Sequence, residues 1–179
     1  TALDAYSYEL VRQENDVLKE KHGRKPEKEF LLARVLATPG QSPFDTLVID
    51  AGSAEGVQVG RRIFTDGDFV VGEVTSVFHH SAVVTLYSSP GTELAAVLEK
   101  SGAPATLHGR GGGNFLIILP RGVDVLVGDL VNIPALAPEY VGVVDAVDRT
   151  EGESLEYVYL TLPMNVYQLK WVFIESPLL

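Results

Sequence analysis

Few stretches of this chain combine residue types and spacings that could do chemistry. The most conspicuous is Gly109-Arg-Gly-Gly-Gly113. Consecutive glycine N–H groups can cradle a phosphate, but a phosphate loop continues into Lys-Ser/Thr and a helix whose N-terminus faces the anion. Here Asn114 and the strand-like FLIIL follow, so a hairpin tip is expected. His79-His80-Ser81 is the one place where a histidine adjoins a hydroxyl nucleophile. A catalytic serine needs a positioned base, a carboxylate behind it and an oxyanion hole. Neither Ser81 nor Ser53 lies in a Gly-x-Ser-x-Gly elbow, and adjacent histidines on a strand point to opposite faces. Four histidines without a His-x-His pair, and no cysteine, offer no zinc-ligand spacing. Glu151, Glu153 and Glu156 lack the ligand spacing of a calcium loop and suit a solvated turn. Arg61-Arg62 is a lone basic pair in an acidic stretch. One arginine is expected to pair with a nearby carboxylate, and a partner contact is the functional alternative. No catalytic residue, metal ligand or cofactor site is expected.

A different pattern organises the glycines. GVQVGRRIFTDGDFVVGEVTSV, starting at Gly56, is echoed by DVLVGDLVNIPALAPEYVGVVDAV, starting at Asp124. Each has Val-x-Val-Gly, a strand-like run, a turn, and Val-Gly-x-Val. Gly60 and Gly128 each precede a strand, and Gly72 and Gly142 each sit inside one, where glycine marks a bulge or sharp bend. Asp66-Gly67 is a strong two-residue hairpin signal, because type I′ turns need positive φ at both positions. The second copy has a longer, proline-rich turn, PALAPEY. The pattern suggests a hairpin built twice and two related β modules dividing near Ser101-Gly102.

The elements that must carry these motifs are mostly strands. From Glu29 onward twelve short runs rich in Val, Ile, Leu, Thr, Tyr and Phe are bounded by Gly, Pro, Asp and Ser. Such spacing suggests an all-β sandwich or a pair of barrels. NVYQLK, Asn165 to Lys170, is the one short helical exception. Residues 2–21 differ: they contain no Gly or Pro and are rich in helix formers. Leu3, Leu10 and Val17 recur at seven-residue spacing beside a second row, Val11 and Leu18. His22-Gly23 ends this segment. A short helix with a narrow apolar stripe is marginal alone, so it needs a partner: a second copy of itself is the first expectation, its own body the second and a solvated stalk the third.

The charge balance narrows the partners. The formal net charge is −10, and residues 29–179 hold all of it, with eight basic and eighteen acidic groups. Such a body repels phosphate backbones, which argues against nucleic-acid binding, and against docking on anionic lipid. No apolar run reaches the roughly 18–20 residues of a membrane span. The chain opens without Met inside helical sequence and reads as trimmed, so whatever lies upstream is not visible in it.

The residues carry a family resemblance. ARVLATPGQSPFDTLVIDAGSAEGVQVGRRIF resembles the bacterial rod shape-determining MreC family, whose pattern includes Ala-Arg-Val-Ile and Leu-x-Ile-Asp-x-Gly-Ser-x-x-Gly-Val-x-x-Gly. The matching positions are Ala33, Arg34, Val35, Leu36, Leu47, Ile49, Asp50, Gly52, Ser53, Gly56, Val57 and Gly60. The likeness continues through VVGEVTSVFHHSAVVTLYSSPGTELAAVL and LPRGVDVLVGDLVNI and covers nearly the whole chain. Two departures mark a divergent member: PALAPEY replaces a glycine-rich loop, and Ser88-Ser89-Pro90 stands where the family has Thr-Asp-Pro.

The resemblance implies a mainly β fold: two small β-barrels of six-stranded type, preceded by an N-terminal helix that ends a coiled-coil stalk. The expected division is residues 1–23 for the stalk, 29–100 for the first barrel and 101–179 for the second, with the final strand able to pack on the first. It implies a non-catalytic, extracytoplasmic scaffold of the cell-elongation machinery, anchored by one upstream transmembrane helix. Its implied partners are itself, MreD, RodA and a penicillin-binding transpeptidase. The helix rows are the expected self-association surface, Gly52, Gly56, Gly60, Gly72, Gly128 and Gly142 the motif turns, and Arg61 and Arg62 a partner contact. The rival expectations are a periplasmic adaptor of an efflux system, and a double-barrel serine hydrolase using Ser81 or Ser53.

Overall fold

Along the strands, buried and outward residues alternate, because successive side chains of a strand point to opposite faces. Thr46–Ile49 and Ala82–Leu86 bury every second residue, and so do Asn114–Pro120 and Leu155–Thr161. Each fully buried Val, Leu, Ile or Phe contributes roughly 1.5–3 kcal/mol, so the pattern fixes which face turns inward. The computed structural model describes residues 29–42, 44–65, 69–134 and 139–176. The helical stretch with Leu3, Leu10, Val11, Val17 and Leu18 lies outside the described residues, as do Asp66-Gly67 and most of the PALAPEY turn.

Twelve strands run in chain order among the described residues: β1 (Phe30–Ala37), β2 (Thr46–Ile49), β3 (Arg62–Thr65), β4 (Phe69–Val77), β5 (Ala82–Leu86), β6 (Glu93–Leu98), β7 (Pro104–Gly111), β8 (Asn114–Pro120), β9 (Leu130–Ile133), β10 (Glu139–Asp148), β11 (Leu155–Thr161) and β12 (Trp171–Glu175). They close into two six-stranded rings. The first runs β4-β3-β12-β1-β2-β5 and closes by β4–β5 pairing; the second runs β11-β8-β7-β6-β9-β10 and closes by β10–β11 pairing. Closure removes the open edges that would template aggregation. The mainly β, double-barrel architecture is the one the resemblance implies.

One assignment, that of β6, differs from a cut at 100/101. β6 lies on the first-barrel side of that cut, yet it pairs with β7 and β9 and belongs to the second ring. β12, at the far end of the sequence, pairs with β3 and lies beside β1 in the first. The second ring is therefore an insertion between the fifth and sixth strands of the first. Register in a strand is dictated by which partner edge is free, and local sequence does not report that. NVYQLK forms a 3-10 turn, Val166–Gln168, whose Tyr167 N–H is capped by the Asn165 side chain at 2.9 Å.

Leu31–Glu175, which holds both rings, is one compact unit. A second unit comprises Thr1–Phe30 and Ser176–Leu179, within which the Ser176 N–H donates to the Glu29 carbonyl at 2.8 Å. The first ring's core includes Leu47, Ile49, Ile63, Val74, Val84 and Ile174. Leu162 and Val166, between β11 and β12, are buried in that same core, with Leu130, Tyr140 and Val143 of the second ring packed against it.

Candidate functional site

The doubled glycine motif folds into the same geometry twice. Gly60 and Gly128 have φ of 90° and 94°. The Gly60 N–H donates to Val74 O and the Val74 N–H to Arg61 O, both at 2.8 Å. In the second ring the Gly128 N–H donates to Val144 O (2.8 Å) and the Val144 N–H to Asp129 O (2.9 Å). Both inter-strand registers carry a bulge nearby, at Ile63/Phe64 and at Tyr140/Gly142. Gly72 has no room for a side chain, since a Cβ would fall on the Thr85 carbonyl. Gly142 has more space, its nearest neighbours standing 3.4 Å from a Cβ. Gly52 heads a 3-10 turn, Ser53–Glu55, where its N–H donates to the Glu55 carboxylate at 2.7 Å, and Gly56 ends that turn in the left-handed region.

The glycine cluster at 109–113 is the tip of the β7–β8 hairpin. Gly111, Gly112 and Gly113 all have positive φ (86°, 65° and 86°). Their N–H groups converge as in an anion-binding nest, but the acceptors come from the first ring. The Gly112 N–H donates to Asp45 Oδ1 at 3.1 Å and the Gly113 N–H to Ser88 Oγ at 2.9 Å. The Ser88 hydroxyl in turn donates to Asp45 Oδ2 at 2.6 Å, and both residues are buried. Of the three N–H groups only that of Gly112 reaches the carboxylate, those of Gly111 and Gly113 going to Ser88, and the two rings are joined there. No sequence spacing links positions 45, 88 and 112.

Arg61 and Arg62 part ways. Arg61 reaches Gln58 Oε1 at 2.8 Å within the turn. Arg62, on β3, is ion-paired and hydrogen-bonded to Glu139 on β10, and so bridges the rings. Burial opposes its charge, but the negative charges of Glu139, Tyr87 and Glu175 outweigh that and raise its pKa. Burial, reinforced by the Glu73 carboxylate that its hydroxyl bonds at 3.2 Å, pushes the neighbouring Tyr87 phenol up. Phe69 and Tyr140 complete this side of the junction, their rings 5.7 Å apart.

The remaining candidates disperse. His80 Nδ1 lies 3.2 Å from Glu55 Oε1, and the His79 and His80 rings are 4.2 Å apart. Among the described residues no hydrogen bond joins a histidine to the hydroxyl of Ser53 or Ser81. Glu151 and Glu153 are exposed, but Glu156 is buried on β11 and receives Arg149 Nε at 2.8 Å, so the solvated turn stops short of it. Among the described residues no group of acidic, His or Cys side chains is placed to hold a metal.

The outer face of the second ring is unlike that of the first. Tyr159 pairs with Leu116, Tyr157 with Ile118 and Leu155 with Pro120, so six apolar side chains form three rungs on the outside of β8 and β11. Ile118, Leu155 and Tyr159 are exposed, though less so than Leu36, Phe44, Val59 and Phe78 on the first-ring side. Beside them lies an open hollow of about 390 Å³ lined by Arg110, Asn114, Asp145 and Tyr159. The Arg110 guanidinium stands 6.0 Å from the centre of the Tyr159 ring. Alternation alone flags this face, because NFLIILP and LEYVYLT are apolar at outward as well as inward positions.

Two closed six-stranded rings, with the second inserted into the first, define a double β-barrel protein. The model of the rod shape-determining protein MreC barrel core matches residues 35–176, and the chain belongs to that family. No curated protein sequence matches it. Among solved structures, MreC from Pseudomonas aeruginosa superposes with a TM-score of 0.72 at 20% identity, over 82% of this chain and 98% of that one. The major periplasmic domain of the cell shape-determining filament MreC gives 0.61 at 19% identity, over 83% and 97%. MreC in the complex with penicillin-binding protein PBP2 from Helicobacter pylori gives 0.52 at 9% identity, over 83% and 98%.

Proposed function

We propose that this chain is a non-catalytic scaffold of bacterial cell elongation, organising peptidoglycan synthesis and rod shape by self-association and protein binding. It works on the outer side of the cytoplasmic membrane, held there by an upstream anchor. The helix rows Leu3–Leu10–Val17 and Val11–Leu18 pair two copies, and the barrels present surfaces to MreD, RodA and a penicillin-binding transpeptidase. Pairing would then strengthen weak individual contacts through effective concentration.

The observation that carries this reading is the match of the MreC barrel core to residues 35–176, in a chain whose rings are both closed. The complex of a relative with a penicillin-binding protein supports the choice of partner. Depleting the protein in its own rod-shaped cell tests the role: cells are expected to round up and to lose dispersed side-wall synthesis. Unchanged shape and wall incorporation would overturn it. The pairing is tested separately by sedimentation, where replacing Leu10 and Val17 with Asp is expected to convert dimers to monomers.

A further inference from the structure

We infer that the hollow on the outside of the second ring is a binding site for a short zwitterion, the size of a dipeptide with both ends free. The inference stands apart from the scaffold reading and does not depend on it. Two strand bulges build the site. β7 pairs Gly109 with Phe115 and Gly111 with Asn114, which leaves Arg110 as the extra residue. β10 pairs Val144 with Leu160 and Ala146 with Tyr159, which leaves Asp145 as the extra residue. β8 and β11 lie between these two strands in the ring. A bulge bends its strand and re-aims a side chain, and bulges gather beside functional sites. Here both extra residues are charged, are of opposite sign and line one hollow of about 390 Å³, with Asn114 of β8 and Tyr159 of β11 on the strands between them. That volume lies within the range of small-ligand sites, about 300–1,000 Å³.

The first ring has the matching bulge without the charge. Its β4 pairs Val74 with Val84 and Ser76 with Val83, so Thr75 stands where Asp145 stands in the second ring. Thr75 is satisfied locally, its hydroxyl 2.9 Å from that of Thr85. Among the described residues neither Arg110 nor Asp145 forms an ion pair, with each other or with a neighbour. The Arg110 guanidinium stands over the Tyr159 ring, at the outer limit of a cation–π contact. Closing a ring therefore does not require these two charges.

The charges select the ligand. A plain anion on Arg110 would meet Asp145, and a plain cation on Asp145 would meet Arg110. A neutral ligand would cover both charges and pair neither, which is costly. A phosphate ligand is opposed further by the net charge of −10. A ligand with a carboxylate at one end and an ammonium at the other satisfies both. The guanidinium takes the carboxylate through two parallel N–H bonds, and Asp145 accepts from the ammonium. The Asn114 amide nitrogen already donates to the Gly111 carbonyl at 3.0 Å, which leaves its Oδ1 to accept a peptide N–H. The Tyr159 ring supplies an apolar floor for what lies between the two ends.

The test titrates the whole isotope-labelled chain with dialanine and follows backbone amide shifts. The probes are the L,L and the D,D dipeptide, each free, N-acetylated or C-amidated. The free dipeptide is expected to give saturable shifts centred on Arg110, Asn114, Asp145 and Tyr159, and each blocked form to bind at least about tenfold more weakly. Both charged residues are exposed, so their variants are expected to keep the wild-type melting temperature. Arg110→Gln is expected to lose discrimination against the amide alone, and Asp145→Asn to lose discrimination against the acetyl form alone. Preference for the D,D form assigns the ligand to peptide of bacterial wall type, and preference for the L,L form to a translated chain. Equal affinity for the two means that the charges alone are read, and each of these three results supports the site. No saturable shift up to about 10 mM, shifts centred elsewhere, or equal binding of free and blocked forms would overturn the inference. The scaffold reading is untouched by any of these results, since cell depletion tests it separately.

Discussion

At the scale of single residues, the motif glycines are required for two different physical reasons, and substitution separates them. Gly52 has ordinary extended backbone, but a Cβ there would fall on the Phe78 carbonyl. Gly52→Ala must displace the β4–β5 turn and is expected to cost about 2–4 kcal/mol in urea unfolding. Gly60 has open space around it and φ of 90°, so Gly60→Ala is expected to cost only the left-handed backbone penalty, about 1–2 kcal/mol. Similar losses at the two positions would contradict this division. Three residues on, the Glu55 carboxylate is held below the usual 4.5, first by the Gly52 N–H and then by its bond to His80. A depressed carboxylate contributes stability that is present above 4.5 and is lost as pH falls through its folded pKa. Glu55→Gln should therefore be less stable than wild type at neutral pH, with the gap closing in acid. Melting temperatures of the two proteins across that range check it; a gap that widens in acid would show that Glu55 is not the group concerned.

At the scale of elements, the first ring depends on a strand delivered from the far end of the sequence. β12 pairs with β3 through Phe173–Phe64 and Ile174–Ile63, and it buries Val172 and Ile174. Removing residues 171–176 would expose the edges of β1 and β3 and empty part of the core. The shortened chain is expected to aggregate or to lose amide protection in β1 and β3 while the second ring keeps its own. Equal loss in both rings would mean that the rings do not fold on separate cores. The dependence also marks what could be read from sequence. The strand runs, the glycine bends and the doubled hairpin were legible, because alternation and turn chemistry are local. The ring membership of β6 was not, because a free edge is a property of the assembled sheet. The Asp45–Ser88–Gly112 contact was hidden for the same reason, its residues being joined only by closure of the two rings. The apolar face on β8 and β11 was within reach, since outward positions of both runs carry Leu, Ile and Tyr.

At the scale of the whole unit, the question is whether two rings act as one body. They are joined by the Arg62–Glu139 pair, the Phe69–Tyr140 rings and strand pairing, the apolar packing of Leu130, Tyr140 and Val143 on the first core, and the Asp45 carboxylate bound by Ser88 and Gly112. The last is the most demanding. Buried donors left without acceptors cost about 1–3 kcal/mol each, and the three glycines with positive φ are conformationally expensive unless something holds them. Asp45→Ala removes the acceptor of the Gly112 N–H and of the Ser88 hydroxyl together. It is expected to destabilise the protein by about 2–4 kcal/mol, and to do so unevenly, because the contact belongs to neither core. Wild type should then unfold in one transition, whereas Asp45→Ala should show either two transitions or early amide exchange at Gly111–Gly113 with β8 and β11 still protected. Ser88→Ala, which keeps the carboxylate and its bond from Gly112, should show a weaker form of the same effect. A single cooperative transition with unchanged midpoint in Asp45→Ala would mean that the other contacts unite the rings without the Asp45 carboxylate. A scaffold gains from such a clamp directly: the surfaces of the two rings keep a fixed mutual orientation, so partner binding need not supply the entropy of ordering one ring against the other.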